Sequence, residues 1–134
     1  MKGGGAALTR EKIIDYTAEK YVIIVDESKV VKKLGERSPI PVEVIPVAWK
    51  SVAKKLEEEY GFKVGLRTAL KGKNGPIVTD NGNFILDVKL TKEIKPEEFE
   101  IKVKSIPGVV ETGVFALKRP WKIIVATSKE INII

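Results

Sequence analysis

The feature that most constrains the fold is a continuous apolar run, Tyr21 to Val25. Four of its five residues are β-branched, and no polar residue interrupts them. This pattern is typical of a strand that is buried on both faces of a parallel sheet. Such a strand needs neighbouring strands and covering helices, and residues 8–20 predict one helix directly before it, with Thr9 as its N-cap. The run therefore predicts that this part of the chain belongs to a larger α/β layer.

From residue 39 onward the pattern changes to short strands and amphipathic helices. Helices are predicted at 48–60, ended by Gly61, and at 96–105, begun by Pro96. The pair Asn81-Gly82 predicts a tight hairpin whose two central residues have positive φ. The strands are predicted at 41–46, 63–70, 77–79, 84–88 and 108–116, with a loop at 72–75. The prolines at both ends of 41–46 favour an edge or linker strand.

The order of these elements predicts the fold class, which combines α/β and α+β parts. Residues 39–116 match the βαββαβ order of a ferredoxin-like domain, a four-stranded antiparallel sheet with two helices on one face. Residues 1–38 and 117–134 are predicted to form part of a doubly wound, Rossmann-like layer. The apolar segment 122–127 would supply a second buried strand of that layer.

Composition narrows the chemistry that the chain can perform. The 134 residues contain no cysteine and no histidine, so disulfides and thiolate metal sites are excluded. Acid–base chemistry therefore depends on Asp, Glu, Lys or Tyr. No apolar run approaches the roughly 18 residues of a membrane helix, and the N-terminus does not resemble a signal peptide. We expect a cytoplasmic protein.

The net charge of +6 raises the alternative of nucleic-acid binding. The lysines, however, are scattered among glutamates, as in residues 54–59, and mixed charge of this kind is typical of solvated helix faces. A sheet that binds RNA carries aromatic residues on its central strands. The predicted strands here supply mainly Ile, Val and Leu, which disfavours this function.

The most informative candidate site is the run Lys2-Gly3-Gly4-Gly5, which precedes the first predicted helix. Glycines before a helix N-terminus let backbone N–H groups approach an anion, and the lysine adds a positive charge. Glu11 places a carboxylate near the same point. The residues alone leave simpler interpretations open: the glycines can be a linker, and Glu11 can favour the helix dipole.

Two further groups of residues are open to functional interpretation. Lys29 follows the Tyr21 to Val25 strand, and loops after such strands hold ligands in α/β folds. The pattern alone favours a solvated turn over a ligand contact. Asp80, Asn81 and Asn83 could ligate a metal, but the predicted hairpin explains their presence better.

Five sequence blocks, in order, give the chain a specific resemblance. They are KGGGAALTREK from Lys2, VDESK from Val25, PVEVIP from Pro41, TDNGN from Thr79 and IPGVVE from Ile106. Together they resemble the C-terminal portion of A-type ribose-5-phosphate isomerases, over essentially the whole chain.

The resemblance implies a function and roles for particular residues. Members of this family interconvert ribose 5-phosphate and ribulose 5-phosphate through an enediolate, without metal or cofactor. The family's proton-transfer base aligns with Glu11. Residues that bind the sugar phosphate align with Lys2, Gly3, Gly4 and Gly5, and a further substrate-contacting lysine aligns with Lys29. Members also form oligomers, so a dimer or tetramer is expected.

The resemblance also predicts what this chain lacks. Roughly ninety residues of the family pattern lie upstream, and they form most of the doubly wound domain. They carry a phosphate loop and an Asp-Gly-Ala-Asp motif whose carboxylates complete the site. We therefore expect the chain alone to be inactive and a separate N-terminal half to be a partner. The alternative is a non-catalytic module that binds sugar phosphates or mediates oligomerisation.

Overall fold

The computed structural model describes residues 1–69 and 74–134. Its helices are α1 (Leu8–Thr17), α2 (Trp49–Tyr60) and α3 (Pro96–Lys104). Its strands are β1 (Val22–Asp26), β2 (Ile40–Val44), β3 (Lys63–Leu66), β4 (Phe84–Lys89), β5 (Val109–Thr112), β6 (Lys122–Ala126) and β7 (Ile131–Ile133). Short 3₁₀ turns cover Glu27–Lys29 and Pro46–Ala48. Leu70 of the predicted third strand and residues 72–73 of the predicted loop lie outside the described residues.

The larger sheet has the strand order β3-β4-β2-β5, and all three of its strand pairs are antiparallel. With α2 between β2 and β3, and α3 between β4 and β5, this is the predicted ferredoxin-like βαββαβ topology. The main hydrophobic core lies between this sheet and the helices. Its buried members include Ile40, Val42, Val44, Val52, Leu56, Phe62, Leu86, Val88, Phe99 and Val103.

The prediction that residues 41–46 form an edge or linker strand is wrong. Strand β2 is central, pairs with both β4 and β5, and is buried at all five residues. An antiparallel pair exchanges two hydrogen bonds, but Pro41 has no N–H to donate to Gly113. Gly113 donates to the Pro41 carbonyl at 2.7 Å, and its own carbonyl accepts the N–H of Lys2 at 2.8 Å. The N-terminal segment thus replaces the hydrogen bond that proline cannot make.

The smaller sheet has the order β1-β6-β7, and β1 and β6 are parallel, as predicted for residues 21–25 and 122–127. Burial of β1 on both faces is not observed, since Val22 and Ile24 are 41% and 72% exposed. The reason is that β1 is an edge strand with a single partner among the described strands. Strand β7 was not predicted, because three residues give too short a pattern.

Helix α1 is shorter than the predicted 8–20, ending at Thr17. Ala18 is already extended, and the ammonium of Lys118 donates to the carbonyls of Tyr16 and Ala18 at 2.7 and 2.6 Å. A cation at a helix C-terminus satisfies carbonyls that have no partner within the helix. The segment before β6 therefore fixes where α1 ends and where the chain turns toward β1.

The Asn81-Gly82 turn forms, but its geometry differs from the prediction. Only Gly82 has positive φ, at 77°, while the N–H of Gly82 donates to Thr79 and that of Thr79 to Asn83. These bonds describe a β-turn followed by a glycine bulge. The arm before the turn makes a single bridge to the arm after it, Val78 to Phe84, and the N–H of Ile77 donates instead to the carbonyl of Arg67 at 2.9 Å.

The remaining elements agree with the predictions to within a few residues. Helices α2 and α3 occupy the predicted positions, and Gly61 ends α2 in the left-handed conformation at φ 70°. The division into units 1–38 with 117–134, and 39–116, stays a prediction. Among the described residues no helix is long and apolar enough to cross a membrane.

Candidate functional site

The three glycines before α1 differ in whether their surroundings leave room for a side chain. Gly3 has φ 107°, and a Cβ atom there would lie 2.8 Å from Cγ of Pro41 and 3.0 Å from Cβ of Leu8. Only glycine fits this position. At Gly4 and Gly5 φ is not positive, and a Cβ atom there would meet no heavy atom of the described residues within 4 Å. Packing therefore does not explain these two glycines, whereas close approach of a ligand to the backbone would.

The side chain of Arg67 binds backbone carbonyl groups of this glycine loop. Its Nη1 atom donates to the carbonyl oxygens of Gly3 and Gly4 at 2.8 and 3.1 Å. Asp87 fixes the guanidinium through two hydrogen bonds, to Nε at 2.8 Å and Nη2 at 2.5 Å. A bidentate pair of this kind sets the orientation of the arginine as well as its position. The two carbonyls are thereby occupied by the protein.

The chain enters α1 through a strained turn. The N–H of Ala6 donates to the carbonyl of Gly3 at 3.1 Å, and Ala6 itself has φ 62°, which is unusual outside glycine. Thr9 is not the N-cap that the sequence pattern predicted. The N-cap is Ala7, and it caps with no side-chain hydrogen bond. Helix N-terminal N–H groups left without such a cap can bind an anion or an oxygen-rich ligand.

Lys2 and Glu11 lie together at this end of the helix. The Nζ atom of Lys2 is 3.7 Å from Oε1 of Glu11 and 3.2 Å from Oδ2 of Asp15. Glu11 is partly exposed, and so remains accessible to a small molecule, while Asp15 is buried. The structure therefore brings together the candidate base, the candidate lysine and the glycine loop. No sequence pattern had pointed to Asp15.

A buried carboxylate, Glu43 on β2, anchors the first turn of α1. The hydroxyls of Thr9 and Thr79 and the amides of Asn81 and Asn83 all donate to it. Burial opposes ionisation, yet these four hydrogen bonds together hold the pKa of Glu43 below its ordinary value. Thr9 is two residues from Glu11, so this network fixes the helix turn that carries the candidate base.

The same turn of α1 is attached to the hairpin on its exposed side. Nε of Arg10 donates to Oδ1 of Asn81 at 3.1 Å, and Nη2 donates to the carbonyl of Asp80 at 3.1 Å. Asp80, Asn81 and Asn83 thus serve the hairpin and its contacts with α1. In the described parts of the chain, no group of three acidic side chains comes close enough to hold a metal. The absence of a metal cofactor stays a prediction.

A second buried charge cluster attaches the middle of α1 to the ferredoxin-like sheet. Nζ of Lys12 donates to Glu100 at 2.8 Å, to Glu111 at 2.9 Å and to the carbonyl of Val114 at 2.7 Å. Burial opposes ionisation of Glu111, but Lys104, Lys12 and the N–H of Thr112 hold its pKa below the ordinary value. The other oxygen of Glu100 accepts the N–H groups of residues 116 and 117.

Sequence patterns offered little sign of these supporting residues. Lys12 falls within a charged stretch, Arg67 within a predicted strand, and Glu43 between two valines. The one available signal was the position of Glu43, a single charge at the centre of an apolar strand. Its burial depends on donors that come from distant parts of the chain.

Among the described residues, the side chain of Lys29 makes no hydrogen bond or ion pair with the residues at the start of α1. Lys29 is on the 3₁₀ turn after β1, where the Asp26 side chain accepts the N–H of Ser28 at 2.8 Å. The Lys29 side chain is exposed, and within residues 1–69 and 74–134 no ion pair links it to Glu11. Helix α1 itself contacts β5 and β2 of the ferredoxin-like sheet, and a substrate contact by Lys29 stays a prediction.

A family model described as Ribose 5-phosphate isomerase A (phosphoriboisomerase A) matches residues 1–130. The chain belongs to this family. The ribose-5-phosphate isomerase A of Thermococcus kodakarensis is 53% identical over 116 residues, which cover 87% of this chain and 50% of that protein. That of Methanocaldococcus jannaschii is 48% identical over 132 residues, covering 98% of this chain and 56% of that protein.

Solved structures of ribose 5-phosphate isomerases agree with the fold described above. The enzyme of Methanocaldococcus jannaschii has a TM-score of 0.91 at 46% identity, covering all of this chain and 57% of that one. A D-ribose-5-phosphate isomerase in complex with phospho-erythronic acid has a TM-score of 0.93 at 43% identity, with the same coverage. The chain thus spans about half the length of the ribose 5-phosphate isomerases it matches. The predicted resemblance to a C-terminal portion is confirmed.

Proposed function

We propose that this chain acts in the interconversion of ribose 5-phosphate and ribulose 5-phosphate, with Glu11 as the proton-transfer base. The observation that carries the proposal is the position of Glu11. Its carboxylate is accessible, lies 3.7 Å from the ammonium of Lys2, and stands on the first turns of a helix entered through Gly4 and Gly5. A base, a cation and backbone amides thus surround one space.

The chemistry requires few groups, and this chain supplies several of them. In the ring-opened aldose, Glu11 would remove the proton from C2, giving a cis-enediolate. Transfer of the O2 proton to the adjacent O1 and return of a proton from Glu11 to C1 would then give the ketose. Negative charge develops on the carbonyl oxygen in the first step. Lys2 and the amides of the glycine loop are placed to stabilise such an oxyanion, which is commonly a large contribution to catalysis. We assign no step to a metal or cofactor.

Binding of the sugar phosphate is assigned to Lys2, Gly3, Gly4, Gly5 and Lys29. Gly4 and Gly5 support this assignment because no neighbouring atom of the described residues accounts for their lack of a side chain. The related isomerase complexed with phospho-erythronic acid, a phosphorylated sugar acid, supports a ligand of the same class. Lys29 would contact substrate from the turn after β1.

An alternative is a module that binds sugar phosphate, or mediates oligomerisation, without catalysis. One observation favours it: the chain matches about half the length of the relatives named above. Any catalytic groups in the other half of those relatives have no counterpart in this chain. The edge strand β1, with Val22 and Ile24 exposed, supports an N-terminal half as the partner that covers this face. A homo-oligomer and a cytoplasmic location stay predictions.

The experiment compares the chain alone with the chain combined with the upstream half of a relative, such as the Methanocaldococcus jannaschii enzyme. We expect conversion of ribose 5-phosphate only in the combination, and its loss on Glu11→Gln. Glu19→Gln, an exposed carboxylate just after α1, is the matched control and should retain activity. Tight binding of ribose 5-phosphate with no turnover in any combination would favour the non-catalytic module.

A further inference from the structure

Asp15 is a carboxylate that the proposed reaction does not use. It lies four residues after Glu11 on α1, and residues at this spacing occupy the same helix face. Its Oδ2 atom is 3.2 Å from Nζ of Lys2, closer than the 3.7 Å between Lys2 and Glu11. The lysine ammonium therefore lies between two carboxylates and is nearer to the one outside the proposed chemistry.

The surroundings of Asp15 disfavour a charged carboxylate, so a contribution to stability does not explain the residue. The residue is 8% exposed, and within the described residues Oδ2 has no hydrogen-bond partner that satisfies both distance and angle. It also lies in the last turn of α1, where the helix dipole disfavours a negative charge. Burial and position both cost stability, and the contact that compensates for them is the ion pair with Lys2.

The backbone of Lys2 and the end of its side chain are held by different contacts. Its N–H donates to the carbonyl of Gly113 at 2.8 Å, and its ammonium lies 5.4 Å from the centre of the Phe115 ring. The backbone anchor leaves the long side chain free to swing, and the two carboxylates hold its end. Without Asp15, the Lys2 ammonium would pair with the Glu11 carboxylate alone. An ion-paired carboxylate is a poorer base, because the nearby cation stabilises its ionised form.

We propose that Asp15 is a positioning residue that holds the ammonium of Lys2 beside Glu11 while keeping it from forming a full ion pair with the base. This inference rests on the proposed function for its kinetic consequence, but not for its structural one. Asp15 is too buried to touch substrate, and it acts through Lys2.

The kinetic test uses Asp15→Asn in the chain combined with the upstream half of a relative. We expect kcat to fall about tenfold with little change in KM, because the substrate site stays intact while the base is occupied by Lys2. Asp15→Glu should recover most of the activity, since it restores the carboxylate. Glu19→Gln is the control and should change neither constant. Equal kinetics for Asp15→Asn and the control would overturn the proposal.

A structural test on the chain alone separates this proposal from the proposed function. The ¹⁵N signal of the Lys2 ammonium, assigned by its disappearance in Lys2→Arg, should have the same chemical shift in the parent and in Asp15→Glu. It should be displaced in Asp15→Asn, where the ammonium pairs with Glu11 alone. If it persists unchanged in Asp15→Asn, the proposal is wrong even if the isomerase is active. If it responds as expected while no combination turns over ribose 5-phosphate, only the proposed function fails.

Loss of the folded structure is not expected to affect either test. Replacing a buried acid in the last turn of a helix by its neutral isostere removes an unfavourable charge, so Asp15→Asn should unfold at a temperature no lower than the parent. Asp15→Ser is a second variant, which removes the carboxylate with a smaller side chain. The same displacement of the Lys2 signal in both variants supports the proposal, and an unchanged signal in either overturns it.

Discussion

Arg67 donates a hydrogen bond of 2.8 Å from its Nη1 atom to the carbonyl oxygen of Gly3, 64 residues earlier in the chain. The arginine follows β3 of the ferredoxin-like sheet, and Gly3 belongs to the loop that precedes α1. A second bond, to the carbonyl of Gly4, means that one guanidinium orients two successive peptide groups. The sheet therefore sets the conformation of a loop to which substrate binding is assigned.

Arg67→Lys should weaken sugar-phosphate binding while leaving the fold intact. A lysine keeps the charge but cannot make the two bonds to Asp87 and the two carbonyl bonds at once. We expect the Kd for ribose 5-phosphate to rise about tenfold, the equivalent of roughly 1.4 kcal/mol. Calorimetric titration of the chain combined with an upstream half measures this. Arg119→Lys, at an exposed ion pair, is the control, and an equal effect there would refute the interpretation.

Alanine substitutions should separate the three glycines of the loop. Gly3→Ala is expected to lower the free energy of unfolding by about 2 kcal/mol or more, because its φ of 107° and its contact with Pro41 both exclude a Cβ. Gly4→Ala and Gly5→Ala should leave that free energy unchanged or slightly raised. They should instead weaken ribose 5-phosphate binding. Urea unfolding and titration measure the two effects, and normal binding by both variants would contradict a ligand role for Gly4 and Gly5.

Lys12→Met should destabilise the chain strongly. It leaves the buried Glu100 without a cation, while the partly buried Glu111 keeps its ion pair with Lys104. Breaking a buried ion pair in this way costs about 3–5 kcal/mol. Lys63→Met, at an exposed position on β3, is the matched control and should stay within about 0.5 kcal/mol. The measurement is urea unfolding near neutral pH. A loss no larger than that of Lys63→Met would show that the cluster contributes little.

Acidification should destabilise the chain through Glu43 and Glu111. Both have a pKa below the ordinary glutamate value of 4.5, so the stability they contribute is present above that pH. It is lost as the pH falls from about 4.5 through the lower folded-state pKa, because the unfolded chain then binds more protons. Glu43→Gln should flatten this part of the profile. Glu57→Gln, an exposed helix carboxylate, should not, and identical profiles for the two variants would contradict the assignment.

Some features of the fold followed from local patterns. The apolar stripe of α2 and its ending at Gly61 needed only sequence spacing, because one helix face and one left-handed residue are local properties. The ferredoxin-like order followed from the succession of elements. The central position of β2 did not, since proline at a strand end predicts an edge unless another segment supplies the missing hydrogen bond. Here Lys2 does so, from a distant point in the sequence, by binding Gly113.

The candidate site also combines features that the sequence predicted with others that depend on tertiary contacts. The family blocks, the glycine loop and the position of Glu11 could be read from the chain alone, because these residues are adjacent and covalent geometry fixes their spacing. Folding was needed to place Lys2 between Glu11 and Asp15, and to bring Glu43, Arg67 and the Lys12 cluster against the loop and helix. These contacts join charged groups from distant segments, and a buried charge is tolerated only where folding brings its partners within hydrogen-bond distance.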